Sequence, residues 1–317
     1  MCTAICDDRL FGRTLDLEGS LGECVAVMPR GFSLPLSSGS EATRYAVIGT
    51  ALVRGKTPLF FDGVNEVGIA AAALNFPVSA EYLDPAEGAI ASHELILLVL
   101  GFCRSLSEVR SLLSETLGIC GREVDGYPPS PLHWMITDGK ESLTVEATAS
   151  GLLVYDNELG VLTNEPPFPY QRKRAADYMA LDATPPVNTL APGAHLPVYS
   201  RGMGAIGLPG DSSSSSRFVR ALYAKEKTEP AVGVERISRF FHVMDTVAQP
   251  KGFAKCDTGA PIYTVYTSAV DLDTGDYYYT TYASRAIRSV TLTERLASAN
   301  GLTLFSMAAR EQITFET

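Results

Sequence analysis

Residues 1–16 read Met-Cys-Thr-Ala-Ile-Cys-Asp-Asp-Arg-Leu-Phe-Gly-Arg-Thr-Leu-Asp. Two runs of apolar and β-branched residues, 3–5 and 10–14, flank the acidic pair Asp7-Asp8, and this pattern is typical of a β-hairpin. Because hairpin strands run antiparallel, pairing returns Arg13 and Asp16 towards the strand end that carries Cys2. The opening stretch therefore predicts a sheet with polar groups gathered around the second residue.

Further hairpins and separate groups of helices are predicted along the chain. Asp-Gly and Gly-Asp turns join two more pairs of strands, residues 133–136 with 143–146 and residues 262–270 with 277–282. Helical spacing of apolar residues predicts helices within 92–103, 106–117 and 232–247, and the last serines of 212–216 are placed to cap a fourth helix. Consecutive hairpins with helices grouped elsewhere indicate an α+β fold of antiparallel sheets covered by helices.

Composition excludes several classes of protein. The chain has 317 residues, 46% hydrophobic and 20% charged, and its 26 basic against 36 acidic residues give a net charge of −10, which argues against a nucleic-acid partner. The longest apolar stretch, residues 95–103, is shorter than the roughly 20 residues that span a bilayer. The N-terminus has no basic start and apolar core, so we expect a cytoplasmic protein.

The six cysteines show no CxxC pair and no regular spacing, which predicts free thiols rather than a zinc site or a disulfide framework. Cys2 differs from the others because methionine aminopeptidase normally removes Met1 ahead of a small residue. The freed α-amine, with a pKa of about 7.7 to 8.0, is able to take the thiol proton without a histidine. Taken alone, however, a cysteine on a strand is more often a small buried apolar residue.

Other candidate residues lie near strand ends. Arg13 would favour a thiolate at Cys2 and Asp16 would hold the α-amine, although a solvated ion pair is the commoner arrangement. Asn75 and Asn164 stand in turn-like settings before prolines, where their amides serve either as oxyanion donors or as Asx-turn residues.

The histidines offer a second route to cysteine chemistry, since a papain-like hydrolase needs one as its base. There are four, and none lies in a metal-ligand spacing: His93, His133, His195 and His242. His133 lies in a strand pattern and His242 in a helical one, where a partly buried histidine is the usual case. We therefore predict no metal.

Together these features resemble the choloylglycine hydrolase family, the bile salt hydrolases and penicillin V acylases of the N-terminal-nucleophile (Ntn) hydrolases. The similarity spans nearly the whole chain in the family's order. It includes Met1-Cys2-Thr3, Phe11-Gly12-Arg13 with Asp16, Val27-Met28-Pro29-Arg30-Gly31, Leu74-Asn75-Phe76-Pro77, Leu132-His133-Trp134, Leu162-Thr163-Asn164, Gly207-Leu208-Pro209-Gly210-Asp211 running into Ser216-Arg217-Phe218-Val219-Arg220, and residues 282–288.

The resemblance implies one domain over residues 1–317 with Met1 removed, folded as a four-layer αββα sandwich of two antiparallel sheets flanked by helices. It implies amide hydrolysis without a metal or organic cofactor, in a family that is commonly tetrameric. The catalytic residues it implies are Cys2 as nucleophile with its own amine as base, Arg13, Asp16 and Arg217 around it, and Asn164 with the region of Asn75 as oxyanion hole.

The substrate implied by the resemblance is a conjugated bile salt, because family members acting on bile salts have asparagine at the position of Asn75 where penicillin V acylases often have tyrosine. An apolar pocket would involve Leu15 and Leu132, with loops at 60–64 and 124–132. The Ser-Arg-Gly sequence at Arg201 resembles that of members inclined to taurine conjugates. The alternatives are a penicillin V acylase or related N-acyl amidase, a histidine-dependent cysteine peptidase and a non-catalytic binding protein.

Overall fold

Strands account for most of the regular structure in the computed structural model, which describes residues 1–53, 55, 57–86, 88–310, 313, 315 and 316. The strands of these described residues are β1 (Cys2–Asp7), β2 (Leu10–Leu17), β3 (Cys24–Met28), β4 (Ser33–Leu36), β5 (Gly39–Ala42), β6 (Val47–Leu52), β7 (Leu59–Asn65), β8 (Ala70–Asn75), β9 (Ala89–Ala91), β10 (Gly118–Cys120), β11 (Leu132–Thr137), β12 (Ser142–Thr148), β13 (Gly151–Asp156), β14 (Val161–Leu162), β15 (Ala254–Lys255), β16 (Pro261–Asp271), β17 (Asp276–Thr281), β18 (Ser284–Thr291) and β19 (Thr303–Ser306).

The α-helices of the same residues are α1 (Glu94–Phe102), α2 (Leu106–Glu115), α3 (Phe168–Ala175), α4 (Ser214–Lys227), α5 (Val234–Asp245) and α6 (Glu294–Ala297). Short 3-10 helices cover Ala176–Tyr178 and Met203–Ala205. The predicted helices within 92–103, 106–117 and 232–247 are confirmed as α1, α2 and α5. In the described part of the chain, no helix is both long and apolar enough to cross a bilayer.

Two large antiparallel sheets organise the strands. The first has the order β14-β1-β2-β16-β17-β18, with β15 also paired to β16, and the second has the order β13-β12-β11-β8-β7-β6-β3-β19. The three predicted hairpins are confirmed as β1–β2, β11–β12 and β16–β17. A short parallel pair, β9 with β10, and the small hairpin β4–β5 lie outside these sheets.

The first hairpin turns one residue later than the acidic pair suggested. Asp7 pairs with Leu10, so the central turn residues are Asp8 and Arg9. Both have positive φ angles, 46° and 63°, as a two-residue type I′ hairpin turn requires. The Arg9 side chain fixes this conformation by donating to Asp273 Oδ1 at 2.7 Å.

Alternation along β8 shows how the layers are stacked. Ala72 and Leu74 lie in an apolar cluster that joins both sheets with α4 and α5, whereas Ala71 and Ala73 lie in a second cluster with α1 and α2. Helices therefore cover the outer face of each sheet, and the predicted α+β sandwich of two antiparallel sheets flanked by helices is confirmed.

The serine run overlaps the start of α4, since its last three serines lie inside the helix, and its capping differs from the prediction. Ser213 occupies the N-cap position without a side-chain bond to the helix backbone. Its hydroxyl donates to Ser216 Oγ at 3.0 Å, and Ser216 in turn donates to Asp211 Oδ2 at 2.6 Å. The run therefore links the loop to the first turn of α4, which places Arg217 at the start of that helix.

Candidate active site

The register of the first hairpin sets the site. Cys2 lies directly opposite Leu15, and Asp16 forms two backbone hydrogen bonds with Met1, in which Asp16 N donates to Met1 O at 3.0 Å and the Met1 ammonium donates to Asp16 O at 2.8 Å. Cys2 is 2% exposed. The thiol is thus held in a defined position where the first strand begins, next to the core between the sheets.

Arg13 is the charged group nearest the thiol. Its Nη2 donates to Cys2 Sγ at 2.7 Å, while its Nη1 donates to the carbonyls of Phe61 at 3.0 Å and Ala73 at 2.6 Å, in strands of the second sheet. Burial by itself raises the pKa of the Cys2 thiol, but the Arg13 charge and then the terminal ammonium lower it, and the net pKa lies below its usual value. The arrangement favours a thiolate.

Asp16 is fully buried beside this pair. Thr264 Oγ1 donates to its Oδ1 at 2.6 Å, and Thr14 Oγ1 donates to its Oδ2 at 3.3 Å. Burial raises the pKa of the carboxyl, although Arg217 and the Thr264 hydroxyl oppose the shift. The terminal ammonium contacts the Asp16 main-chain oxygen rather than the carboxylate that the sequence indicated as its partner.

Asn164 and Arg217 complete the cluster. Asn164 Oδ1 accepts from Cys2 N at 2.8 Å and from Arg217 Nη2 at 2.6 Å. Arg217 Nη1 donates to Cys2 O at 2.5 Å and to Thr3 Oγ1 at 2.7 Å. The main-chain nitrogen beside the thiol therefore faces an acceptor that a buried guanidinium holds in place.

Asn75 meets this cluster through its backbone. Its side chain is exposed, and its carbonyl accepts from Asn164 Nδ2 at 2.8 Å. A primary amide has two N–H groups, so this contact leaves one Asn164 N–H for a further acceptor. The arrangement fits a thiol nucleophile with an adjacent hydrogen-bond donor.

Comparison with known proteins decides the family. The model of the linear amide C–N hydrolases, choloylglycine hydrolase family, matches residues 2–304. The chain belongs to this family. A bile salt hydrolase/transferase of Lactiplantibacillus plantarum is 37% identical over 98% of each chain, and a conjugated bile acid hydrolase of Lactobacillus gasseri is 35% identical over 88% of this chain and 92% of the relative.

Solved structures agree with this assignment to the choloylglycine hydrolases. A mutant conjugated bile acid hydrolase from Clostridium perfringens superposes with a TM-score of 0.91, at 30% identity and with 100% of both chains covered. The penicillin V acylase from Agrobacterium tumefaciens gives a TM-score of 0.74 at 22% identity, covering 96% of this chain and 91% of that one, and shows likeness of fold alone.

The predicted substrate contacts of this choloylglycine hydrolase lie in different settings. Leu15 is 4% exposed and pairs with Cys2, and Leu132 is half-buried and pairs with Asn75. Residues 60–64, expected to be a loop, are part of β7 in the second sheet, so that expectation is wrong. Arg201 lies in an exposed loop, and its side chain makes no hydrogen bond or ion pair with the residues that the structure describes.

Two groups of this site were missed from the sequence. Thr264 comes from β16, and nothing local marks it as the partner of Asp16, since the pairing depends on how two distant hairpins join. Thr14 is detectable from the sequence, because the hairpin register places it opposite Thr3, the residue next to Cys2.

No histidine of the described residues forms a hydrogen bond with the Cys2 thiol, although His133 contacts the residue before Asn164. The hydrogen bond to Cys2 Sγ comes from Arg13. Over the same residues, no three His, Cys, Asp or Glu side chains are grouped to hold a metal ion.

Proposed function

We propose that the protein hydrolyses the amide bond of conjugated bile salts, with taurine or glycine as the leaving amine, by means of Cys2. The observation that carries this proposal is the contact of the Cys2 thiol with the buried Arg13 guanidinium, beside a main-chain nitrogen held by Asn164. Membership of a family of linear amide C–N hydrolases fixes the bond type. The relatives are a bile salt hydrolase/transferase and a conjugated bile acid hydrolase, and their substrates support this one.

Maturation is part of the proposal. Removal of Met1 turns Cys2 N into a primary amine that keeps Asn164 Oδ1 as its acceptor. Removal also frees the Asp16 backbone N–H and carbonyl that Met1 occupies. The amine then keeps one acceptor and lies on the same residue as the thiol, which suits a base that takes the thiol proton.

Acylation starts when the thiolate attacks the amide carbonyl carbon and the amine holds the thiol proton. The oxyanion accepts from the second Asn164 N–H, a type of contact that contributes about 3 to 4 kcal/mol to transition-state stabilisation. Collapse of the intermediate breaks the C–N bond, and the ammonium proton passes to the leaving nitrogen. The products of this half-reaction are a thioester at Cys2 and free taurine or glycine.

Deacylation repeats these roles with water. The Cys2 amine takes a proton as water attacks the thioester carbonyl, the same Asn164 N–H holds the oxyanion, and the C–S bond breaks to release the bile acid. Arg13 stabilises the thiolate as it leaves. The Asp16 carboxyl group interacts electrostatically with Arg217 and the terminal amine, and the hydrogen bond from Thr264 orients it.

Arg201 is proposed to favour taurine conjugates by pairing with the sulfonate. The Arg201 guanidinium is exposed and forms no hydrogen bond or ion pair with the residues that the structure describes. An anionic ligand is therefore able to pair with it. Replacing Arg201→Gly is expected to lower taurocholate turnover while glycocholate turnover persists. An unchanged ratio of the two rates contradicts this role.

We also infer a homo-oligomer, a tetramer as in the family resemblance, acting in the cytoplasm where thiols stay reduced. Support comes from the exposed apolar side chains of the long segment before α4, namely Met179, Val187, Leu190, Leu196, Val198, Tyr199 and Ile206. Light scattering after gel filtration tests the oligomer, and a monomer at micromolar concentration rejects it.

The proposed function is tested with a panel of tauro- and glyco-conjugated bile salts and penicillin V, together with intact-mass measurement. We expect faster hydrolysis of bile salts than of penicillin V and a mature mass that lacks Met1. Preference for penicillin V would identify an acylase of the alternative type, and tight binding without hydrolysis would identify a binding protein. Full activity with Met1 retained would reject the amine as base.

A further inference from the structure

A buried histidine and glutamate lie behind Asn164 and Asn75 without touching the thiol. His133 of β11 and Glu146 of β12 are directly opposite in register, and both are 0% exposed. His133 Nδ1 lies 3.3 Å from Glu146 Oε1, and its Nε2 lies 2.9 Å from the carbonyl oxygen of Thr163. The reaction steps above use neither side chain, yet two titratable groups are buried there together.

The hydrogen bond to Thr163 determines which ring nitrogen of His133 carries a proton. A carbonyl oxygen only accepts, so His133 Nε2 carries the proton that it donates to Thr163 O. Glu146 Oε1 already accepts from Phe168 N at 2.9 Å. Its contact with His133 Nδ1, at 3.3 Å, holds the imidazole in the orientation that directs Nε2 at Thr163.

The imidazole contacts residues next to both asparagines. Thr163 precedes Asn164, so the bond from His133 fixes the peptide group that leads into it. The Phe76 ring, which follows Asn75, is stacked on the imidazole with centroids 4.3 Å apart and an interplanar angle of 6°. One side chain therefore contacts both of the segments that meet in the Asn164 Nδ2 to Asn75 O hydrogen bond, where Ser214 Oγ also accepts from Asn164 N at 2.8 Å.

We propose that His133 is a positioning residue for the oxyanion donor Asn164, and that Glu146 orients its ring so that Nε2 donates to Thr163. This role rests on the proposed function of Asn164 in amide hydrolysis. It differs from a papain-like role, because His133 neither contacts the thiol nor exchanges a proton with substrate. Its effect is on the geometry of the donor, where small displacements are costly in rate.

The first test compares His133→Phe, which keeps the aromatic stack on Phe76 but loses the donor, with His133→Gln, whose amide N–H is able to reach Thr163 O. We expect His133→Phe to lower kcat by about tenfold to a hundredfold with KM changed less than about threefold, since misplacement acts on the transition state. His133→Gln should recover most of kcat. His195→Phe, at an exposed histidine, is the matched control.

Loss of the fold is monitored separately from loss of rate. Rates are divided by the folded fraction of each variant, measured by circular dichroism during urea unfolding, which removes misfolded molecules from the comparison. A loss of kcat in His133→Phe that is fully accounted for by the loss of folded fraction means a purely structural role and overturns the proposal. Equal kcat for His133→Phe and His133→Gln also overturns it, because the donor would then be irrelevant.

A nitrogen-15 NMR measurement keeps this inference separate from the substrate proposal. The His133 Nε2 of the wild-type protein should carry a slowly exchanging proton, and an unprotonated Nε2 overturns the assignment. The ratios of variant kcat to wild-type kcat are measured on whichever amide the wild-type protein cleaves fastest, penicillin V included. Failure on bile salts would therefore contradict the proposed function, while the NMR signal and the variant ratios still decide the role of His133.

Discussion

Cys2 and Cys6 lie four residues apart on β1, and both are buried, at 2% and 8% exposure. Cys2 Sγ accepts from the Arg13 guanidinium, whereas Cys6 Sγ lies 3.3 Å from the Thr137 hydroxyl. Burial raises the pKa of both thiols, but only at Cys2 do the charges lower it below the usual value, and the pKa of Cys6 is raised. Strand and burial are shared, so the Arg13 guanidinium is the main contact that separates a thiol with a lowered pKa from one with a raised pKa.

The largest expected difference separates Cys2→Ala from Cys6→Ala. Loss of the nucleophile should lower kcat by more than about 10⁴-fold, because the remaining groups have nothing to acylate. Cys6→Ala should retain kcat and lose about 0.5 to 3 kcal/mol of unfolding free energy, as is usual for a truncated buried side chain. Steady-state kinetics measures kcat, and urea unfolding measures the free energy of unfolding. Activity in Cys2→Ala would contradict the central assignment.

Arg13→Gln should make the thiol of Cys2 resemble that of Cys6. Without the charge the Cys2 pKa rises, and since the thiolate is the reacting form, the alkylation profile should move to higher pH by about 1 to 3 units. Iodoacetamide labelling followed by peptide mass spectrometry measures each cysteine separately. Arg13→Lys keeps the charge and should move the profile less. An unmoved Cys2 profile in Arg13→Gln would show that the guanidinium does not set the pKa.

Asp16→Asn tests the fully buried carboxylate of β2 that lies near Cys2. Its pKa is raised in the folded state, so the wild-type protein loses stability as pH rises from about 3.9, the unfolded carboxyl value, through the folded value. Asparagine does not ionise and keeps an acceptor for Thr264. The variant should gain stability relative to wild type as pH rises to 7, while kcat falls by about tenfold to a hundredfold.

Urea unfolding from pH 3 to 8 measures this difference. A stability difference that is independent of pH would mean that the Asp16 pKa is unshifted in the fold. The control is Asp7→Asn at the Cys6 end. The Asp7 carboxylate forms a largely buried ion pair with Arg239, away from the Cys2 thiol, and its replacement is expected to leave kcat unchanged.

The contrast between the two cysteines also shows how far sequence reasoning reaches. The hairpin around Asp8 and Arg9 follows from local pattern, and with it the approach of Arg13 to Cys2, because register is a local property of a short turn. Asn164 was a candidate from its turn-like setting, whereas Arg217 was indicated by the family resemblance, since its contact with Asn164 joins a helix start and a loop that lie far apart in the chain. The single-domain organisation stays a prediction.

Side-chain direction was the part that sequence left undetermined. Nothing local indicates that Asn75 presents its carbonyl rather than its amide to Asn164, or that Thr264 faces Asp16. Both depend on how separate hairpins pair and stack, which is settled by packing of the whole sandwich. His133 was considered as a catalytic base, whereas its contacts with Thr163 and Phe76 become visible only in three dimensions.

The smallest effect is expected from a matched pair of threonine replacements. Thr264 Oγ1 donates to Asp16 and accepts from Gln249 N, while Thr137 Oγ1 contacts Cys6 Sγ and accepts from Gly139 N at 2.9 Å. Replacement by valine orphans one backbone N–H in each case, so both variants should lose about 1 to 3 kcal/mol of unfolding free energy.

Only Thr264→Val should also slow the enzyme. Losing one hydrogen bond worth about 1 kcal/mol to a catalytic carboxylate corresponds to about a fivefold fall in kcat, whereas Thr137→Val acts on a thiol that takes no part in the reaction. Kinetics at a temperature where both variants are fully folded, judged by circular dichroism, separates rate from stability. Equal kcat in the two variants would show that orientation of Asp16 by Thr264 is not needed. The difference between the ends of β1 would then rest on Arg13 and the terminal amine.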